Sequence, residues 1–187
     1  LVGSEMCIRD SLAGVLVPER GSVTLGETEI SGLADSARRA HRLRHLGLVF
    51  QEFELLAHLR VLDNILLPYR LHAALKLTAA VRERAISLAE EVGLGDKLRR
   101  RPAELSQGER QRVAVCRALV TEAPLLLCDE PTGNLDPANK EQILEILFSF
   151  TERRGATLVT VTHDHGLLAR FQHVIDFEEF LPKGGPA

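Results

Sequence analysis

Residues 124–164 read PLLLCDEPTGNLDPANKEQILEILFSFTERRGATLVTVTHD, and this stretch decides the fold. The continuous apolar run at 124–130 is of the kind that a parallel strand buried on both faces requires, and 157–163 is predicted to be the next buried strand. Between them the sequence predicts a helix that begins after the N-cap residue Asp136 and ends at Gly155. The stretch therefore predicts a βαβ unit whose strands end at one edge of the sheet, where ligands of such sheets bind.

Polar side chains end both predicted strands, although they are costly to place after a buried apolar run. Asp129 and Glu130 end the first run, and His163 and Asp164 end the second. An aspartate at a strand end beside a phosphate site can bind Mg²⁺, and the adjacent carboxylate can polarise an attacking water. This pattern favours a catalytic edge. On their own, Asp129 and Glu130 would leave a loop start or a helix cap as the alternative.

The segment LSQGERQRVAVCRAL, residues 105–119, predicts a helix with a well-defined beginning. Ser106 is followed three residues later by Glu109, which is the spacing of a capping box. The beginning of a helix offers unpaired backbone N–H groups to anions, and Gly108 is small enough for close approach. The segment therefore predicts an anion site at the start of this helix, with an ordinary capped helix as the alternative.

The first hundred residues predict a hairpin, a basic helix and a helical lobe, with a short apolar run between the last two. GSVTLGETEIS (21–31) alternates apolar and polar residues around a glycine, as a short hairpin does. Residues 35–45 predict a basic helix, for which a solvated face is favoured over a phosphate-binding patch. The apolar run LGLVF (46–50) ends at Gln51. From 59 to 104 apolar residues recur at helical spacing, which predicts an inserted helical lobe.

The composition indicates one globular domain over residues 1–187. The net charge is −3, so the chain lacks the broad cationic field that nucleic-acid binders use. The 3 cysteines have neither metal-ligand nor CxxC spacing, and no apolar run reaches the length of a membrane span. A cytoplasmic protein that reaches a membrane only through a partner is expected.

Five short strings, taken in order along the chain, resemble the nucleotide-binding subunit of ATP-binding cassette (ABC) transporters. They are LVFQ (48–51), similar to the Q-loop; LSQGE (105–109), similar to the signature motif LSGGQ; LLLCDE (125–130), similar to the Walker B strand; GNLD (133–136), similar to the D-loop; and VTHD (161–164), similar to the switch region. The resemblance implies an α/β, P-loop NTPase-like ABC ATPase domain with a mostly parallel core sheet, a small antiparallel β part and a helical subdomain at 59–104.

The resemblance also implies the cofactors, ATP and Mg²⁺, and the residues that meet them. Asp129 and Gln51 would bind Mg²⁺. Glu130 would be the general base and His163 would contact the γ-phosphate, which makes these two the catalytic residues. The residues implied to contact the nucleotide are Gln51, Ser106, Gln107, Gly108, Glu109 and Asp136. Gln107 and Glu109 replace the residues that are usual in the signature.

The strings DEPTGNLD and ERQRVA look most like the group of lipoprotein-releasing, macrolide-efflux and cell-division subunits. The resemblance therefore implies a homodimer, an integral membrane permease as partner, no nucleic acid, and a location at the cytoplasmic face of the inner membrane. Two alternatives are a non-catalytic partner subunit and a DNA-linked ABC ATPase. The compact lobe at 59–104 argues against the second, because it lacks sustained heptads.

The phosphate-binding loop of the family is missing from the 187 residues, in which no GxxxxGK[ST] string occurs. That string supplies a backbone cradle, a lysine that neutralises phosphate and a hydroxyl for the metal. Neither alignment of the N-terminal segment restores it. Registering on LAG (12–14) or on Gly3 puts other residues at the key positions: Glu5 and Met6 in the first case, and Ile8, Arg9 and Asp10 in the second.

Residues 1–11, LVGSEMCIRDS, are expected to be non-native. The stretch breaks the family pattern abruptly and resembles a sequence that recurs at the ends of assembled environmental DNA fragments. Losing the cradle and its lysine removes several charge-assisted hydrogen bonds, each worth about 1.5 to 3 kcal/mol. The chain as given is therefore expected to bind ATP poorly and to hydrolyse little or none.

Overall fold

The computed structural model describes residues 9–133 and 135–180, and its core is a parallel sheet. Three strands lie side by side in chain order: β3 (Leu46–Val49), β4 (Leu125–Asp129) and β5 (Thr157–Val161). A separate antiparallel pair joins β1 (Thr24–Leu25) to β2 (Thr28–Glu29). The predicted βαβ unit and the predicted hairpin are both confirmed.

Helices connect and flank these strands. They are α1 (Asp35–His45), α2 (Val61–Ile65), α3 (Pro68–Leu71), α4 (Ala79–Glu91), α5 (Gln107–Leu119), α6 (Pro137–Arg154) and α7 (His165–Leu168), with 3₁₀ turns at Gly95–Lys97, Pro102–Glu104 and Phe177–Phe180. Among the described residues, none of these helices combines the length and apolar character that crossing a membrane requires.

The ends of α6 are those that the sequence predicts. Asp136 caps its beginning, because one carboxylate oxygen accepts hydrogen bonds from the backbone N–H groups of Ala138 and Asn139, each at 3.1 Å. Gly155 ends the helix with a left-handed φ of 61°, which a residue without a Cβ adopts without strain. The helix thus returns the chain to the sheet at Thr157.

The register of the sheet brings the carboxyl ends of its three strands together. Val49 pairs with Cys128, and Asp129 pairs with Val161. The residues that follow these positions, Gln51 after β3 and Thr162 after β5, therefore flank the end of β4 on its two sides. This placement is what assembles a site from three separate parts of the sequence.

Two apolar clusters hold the molecule together around α5. One joins α2 and α4 to α5 and includes Ile65, Ala85, Leu94, Val113 and Cys116, all of them fully buried. The other lies between the sheet and α6. The helices of the predicted lobe at 59–104 thus pack on α5, while the division of the chain into core and lobe stays a prediction.

Gly47 in β3 is required by the close approach of α5 to the sheet. A Cβ at this position would lie 2.6 Å from the carbonyl oxygen of Ala118 and 2.6 Å from a methyl carbon of Leu126. Gly47→Ala is expected to lower the free energy of unfolding by about 3 kcal/mol, since overpacking forces backbone or core side chains to move. Urea denaturation measures this loss. Gly32→Ala is the control, because its Cβ would meet its nearest atom at 3.6 Å, and equal stability of the two variants would contradict the prediction.

Candidate functional site

Glu130 stands at the centre of the carboxyl edge of the sheet. It follows β4 in a left-handed conformation with φ of 44°, and its backbone N–H still donates to Val161 at 2.9 Å. Its carboxylate accepts hydrogen bonds from the Thr162 hydroxyl at 3.0 Å and from the backbone N–H of His163 at 2.5 Å. The end of β5 therefore fixes the direction of this carboxylate.

Gln51 lies beside the turn that follows β4, residues 130–133. Its Cγ is 3.6 Å from the point where Gly133 would carry a Cβ, and that point is also 3.3 Å from the carbonyl oxygen of Glu130. The backbone N–H of Gly133 donates to the same carbonyl at 3.0 Å. The structure thus brings Gln51, Glu130 and His163 together, as the sequence analysis expects.

Asp129 is buried at the end of β4 and has a partner that sequence reasoning missed. Its residue is only 8% exposed, and one carboxylate oxygen accepts a hydrogen bond from the guanidinium of Arg9. Arg9 also pairs with Asp10 at 2.8 Å and lies 5.2 Å from the ring centroid of Phe50. A cation of the chain therefore neutralises the carboxylate that the resemblance assigns to Mg²⁺.

As they stand, the described residues do not fit a bound magnesium nucleotide. The guanidinium of Arg9 is bonded to the Asp129 carboxylate, which a magnesium ion would need as its ligand. The alignment positions Glu5, Met6 and Ile8 lie outside the described residues, as does Asn134 of the GNLD string. Gln51, Glu130 and His163 meet at the carboxyl edge of the sheet, whereas a phosphate cradle is not part of the described chain.

The predicted capping box at the start of α5 is confirmed. The hydroxyl of Ser106 accepts from the backbone N–H of Glu109 at 3.3 Å, and the carboxylate of Glu109 accepts from the backbone N–H of Ser106 at 2.8 Å. Gln107, the first residue of the helix, is exposed. The cap thus consumes hydrogen-bonding groups that an anion could otherwise meet.

Gly108 allows two helices to touch at their first turns. A Cβ on this residue would lie 2.5 Å from the side-chain oxygen of Asn139 in α6. Asn139 in turn donates to Asp136 at 2.5 Å, and Arg112 donates to Asn139 at 3.1 Å. The small size of Gly108 therefore serves packing inside the chain, a contact that no local pattern in the sequence announces.

Asp136 of the GNLD string has its carboxylate occupied as the cap of α6. The side chain of Asn139, followed by backbone N–H groups, keeps the pKa of Asp136 below its ordinary value. Asp164, which ends the second polar pair, caps α7 through the N–H of Gly166 at 3.0 Å and pairs with Lys140 at 3.1 Å. Both carboxylates therefore hold the beginnings of helices.

The carboxylate of Glu109 also forms an ion pair with Lys97, which sequence reasoning missed. The two side chains meet at 2.5 Å, and the Glu109 side chain is 15% exposed. The hydrogen bond from Lys97, followed by that from the backbone of Ser106, lowers the pKa of Glu109 to about 2. Lys97 belongs to a 3₁₀ turn of the lobe, so the pair ties the lobe to the start of α5.

Acid is expected to weaken this pair. Because the pKa of Glu109 is lowered by folding, its stabilisation is complete above pH 4.5 and disappears as the pH falls through about 2. Glu109→Gln is therefore expected to cost about 1 to 2 kcal/mol of unfolding free energy at pH 7 and almost nothing near pH 2. Urea denaturation of both proteins between these pH values measures the difference, and a cost that is constant with pH would contradict the assignment.

Comparison with known proteins places these motifs in a family context. The family model described as ABC transporter matches residues 8–133. The lipoprotein-releasing system ATP-binding proteins LolD of Cereibacter sphaeroides and of Pseudomonas fluorescens are both 40% identical to the chain. The alignments cover 89% and 90% of this chain and 74% and 73% of those proteins.

Two solved structures are similar along most of the chain. One is a dimeric post-hydrolysis state of the ATP-binding cassette MJ0796 bound to ADP and Pi, with a TM-score of 0.78 and 30% identity over 87% of this chain and 71% of that one. The other is the dimeric structure of MJ0796 as a bacterial ABC transporter cassette, with a TM-score of 0.79 and 30% identity over 88% and 72%. These similarities cover both the sheet and the helices that flank it.

Proposed function

The chain belongs to the ABC transporter family of ATP-binding subunits, and from this premise we propose that it derives from the ATP-hydrolysing subunit of a lipoprotein-releasing transporter. Members of the family bind ATP and Mg²⁺ and hydrolyse ATP. Lipoprotein release is what the names of the similar LolD proteins state, and it is proposed here for the transporter to which this chain would belong.

The observation that carries the proposal is the arrangement around Glu130. Two donors, the Thr162 hydroxyl and the N–H of His163, hold its carboxylate, while Gln51 adjoins the same turn. A carboxylate fixed at this edge can accept a proton from an attacking water, which is the task of a general base. We assign that task to Glu130, and contact with the terminal phosphate to His163.

The remaining proposed roles divide between binding the metal and binding the nucleotide. Asp129 and Gln51 would hold Mg²⁺, which neutralises phosphate charge, once Arg9 has left the Asp129 carboxylate. The proposed nucleotide contacts at the two helix beginnings are Ser106, Gln107, Gly108, Glu109 and Asp136. Glu109 and Asp136 would act mainly through the caps that they form, because both carboxylates are already engaged.

A homodimer completes the proposed site. Ser106 and Gln107 at the beginning of α5 are exposed, so this helix can face a second copy of the chain. The two similar cassette structures are dimeric, and one of them contains ADP and Pi. In the proposed dimer the beginning of α5 of one chain closes on the nucleotide of the other.

The membrane partner is proposed to dock in an apolar groove between the sheet and the lobe. A cavity of about 290 Å³ lies there, lined mainly by apolar side chains of α1, β3 and residues 67–71, among them Leu43, Leu48, Leu67 and Leu71. Leu71 is 63% exposed at its rim. An amphipathic helix of a permease would bury this surface and would hold the subunit at the cytoplasmic face of the inner membrane.

Leu71→Asp tests the docking site. The parent chain is expected to sediment with membranes that contain the permease of a lipoprotein-releasing relative. The amount of the Leu71→Asp variant that sediments with them is expected to be at least tenfold smaller, because an aspartate cannot enter an apolar groove without losing its hydration. Leu77→Asp is the matched control, since Leu77 is also exposed but does not line the groove. Equal sedimentation of all three proteins, or equal binding to permease-free membranes, would contradict the proposal.

A non-catalytic partner subunit is the second candidate, and the pairing of Arg9 with Asp129 favours it. An arginine that permanently occupies the metal carboxylate would suit a subunit that docks without hydrolysing ATP. The genomic sequence upstream of Leu12 discriminates between the two candidates. A complete GxxxxGK[ST] string there would exclude the non-catalytic subunit, and a native Arg9 would support it.

A further inference from the structure

Arg117 is a buried cation near the end of α5 that the proposed roles do not use. The residue is 8% exposed, and burial lowers the pKa of its guanidinium to about 10. It donates to the backbone carbonyl of Phe53 at 2.7 Å and to that of Glu54. Removing a guanidinium from water costs free energy, and these two hydrogen bonds offset much of that desolvation cost.

The two carbonyls belong to a strained turn. Phe53 and Glu54 have φ of 62° and 47°, the left-handed region that side chains other than glycine rarely adopt. Such a conformation costs about 1 to 2 kcal/mol per residue. A hydrogen bond from a charged donor contributes about 1.5 to 3 kcal/mol, so the two from Arg117 are large enough to hold the turn.

Gln51 belongs to the same short segment as this turn. Phe53 donates from its N–H to Phe50 at 3.3 Å and Glu54 donates to Glu52 at 2.6 Å, so residues 50–54 form one compact unit. Gln51 is inside this unit, with its Cγ beside Gly133. Any relaxation of the two left-handed residues would therefore move Gln51 away from the turn that follows Glu130.

We propose that Arg117 is a positioning residue: by donating hydrogen bonds to the carbonyls of Phe53 and Glu54, it places Gln51 against Gly133 and Glu130. The same helix begins with the capping box of Ser106, so α5 connects the Gln51 loop to the proposed dimer surface through one rigid element. The importance of Gln51 for hydrolysis rests on the proposed function. Its placement by Arg117 does not, and it can be tested without nucleotide.

Disulfide trapping measures that placement directly. Cysteines are introduced by Gln51→Cys and Gly133→Cys in a Cys7→Ser background; the remaining Cys116 and Cys128 are buried. The rate of crosslinking under a mild oxidant is expected to fall at least tenfold with Arg117→Met, which keeps an unbranched apolar stem but removes the guanidinium that donates to both carbonyls. Arg112→Met is the matched control on the same helix, because Arg112 contacts Asn139 and Gln142 instead, and it is expected to stay within twofold of the parent.

Amide hydrogen exchange separates positioning from general destabilisation. In Arg117→Met the amides of Phe53 and Glu54 are expected to exchange at least tenfold faster, whereas those in the middle of α5 change less than threefold. Arg117→Lys keeps a positive charge but has a shorter side chain without the planar fork, so it is expected to lie between the parent and the Met variant. It decides the question if the Met variant does not fold. Unchanged crosslinking in a folded variant, or equal acceleration throughout α5, overturns the proposal and leaves the proposed function untouched.

Discussion

A version of the chain that carries a family-like GxxxxGK[ST] loop before Leu12 is expected to bind Mg-ATP about a hundred- to ten-thousandfold more tightly than the 187-residue chain. The graft supplies backbone donors and a lysine to the phosphates, and two such charge-assisted bonds account for about two to four decades of affinity. It also removes Arg9 and so frees the Asp129 carboxylate. Isothermal titration calorimetry of both proteins measures the ratio.

Two controls show whether the loop itself produces the gain. A graft of equal length with methionine in place of the loop lysine is expected to recover only part of the affinity, because it keeps the backbone cradle without the cation. Arg9→Ala in the original chain is expected to bind ATP hardly better than its parent, since freeing Asp129 does not create a cradle. Equal affinity of the original chain and the full graft would mean that another loop binds the phosphates.

Glu130→Gln in the grafted version is expected to lower the rate of ATP hydrolysis about a hundred- to ten-thousandfold, which is the range that general base catalysis contributes. Glutamine can still accept a hydrogen bond from Thr162 or from the N–H of His163, so the turn keeps its shape. ATP affinity is therefore expected to stay within threefold. Phosphate release and calorimetry on the same samples measure the two effects.

Glu145→Gln is the matched control for this variant. Glu145 is an exposed residue in the middle of α6, and the same substitution there is expected to leave hydrolysis within twofold. Retained hydrolysis in Glu130→Gln would show that another group accepts the proton of water. A parallel loss of ATP affinity would instead indicate that Glu130 acts mainly in binding.

Local patterns in the sequence were sufficient to predict the strands and helix ends that position the site. The cap at Asp136 and the left-handed end at Gly155 each have a short-range chemical cause, and the structure confirms both of them, as it confirms the strands β4 and β5. The prediction that the second strand is buried on both faces is wrong, because β5 is an edge strand of the described sheet and is only partly buried. That Glu130 and His163 lie at one edge followed from one further rule, that parallel strands end at the same edge. The place of Gln51 beside them was implied only by the resemblance to the family.

Contacts between distant parts of the chain could not be predicted in this way. Arg9 contacts Asp129, and Arg117 contacts Phe53 and Glu54. These partners lie far apart in the sequence, and no periodic pattern of residues reveals their contact. An arginine in an apolar helix looks in the sequence like a solvent-exposed cation, and only the packing of α5 shows that Arg117 is buried. These contacts depend on tertiary packing, which a single sequence does not encode in any local pattern.

The sequence alone did not show why glycine is needed at two positions, Gly108 and Gly47. Gly108 was interpreted as room for an anion, and the structure adds a reason inside the chain, because Asn139 occupies the space of its missing side chain. Gly47 had no interpretation beyond its apolar strand, although α5 requires it. Gly47 and Gly108 therefore mark close approach, whereas a Cβ at Gly26 or Gly93 would meet nothing within 4 Å, so only the structure tells the two kinds of glycine apart.

Sedimentation velocity of the grafted version with Glu130→Gln tests the central claim most directly, namely that the carboxyl edge of this sheet serves a nucleotide held between two copies of the chain. Because hydrolysis is blocked while ATP still binds, the two copies should stay closed around it. The account predicts a monomer without nucleotide and a dimer with saturating Mg-ATP. A monomer at saturating Mg-ATP, or a dimer that forms equally without nucleotide, would contradict it.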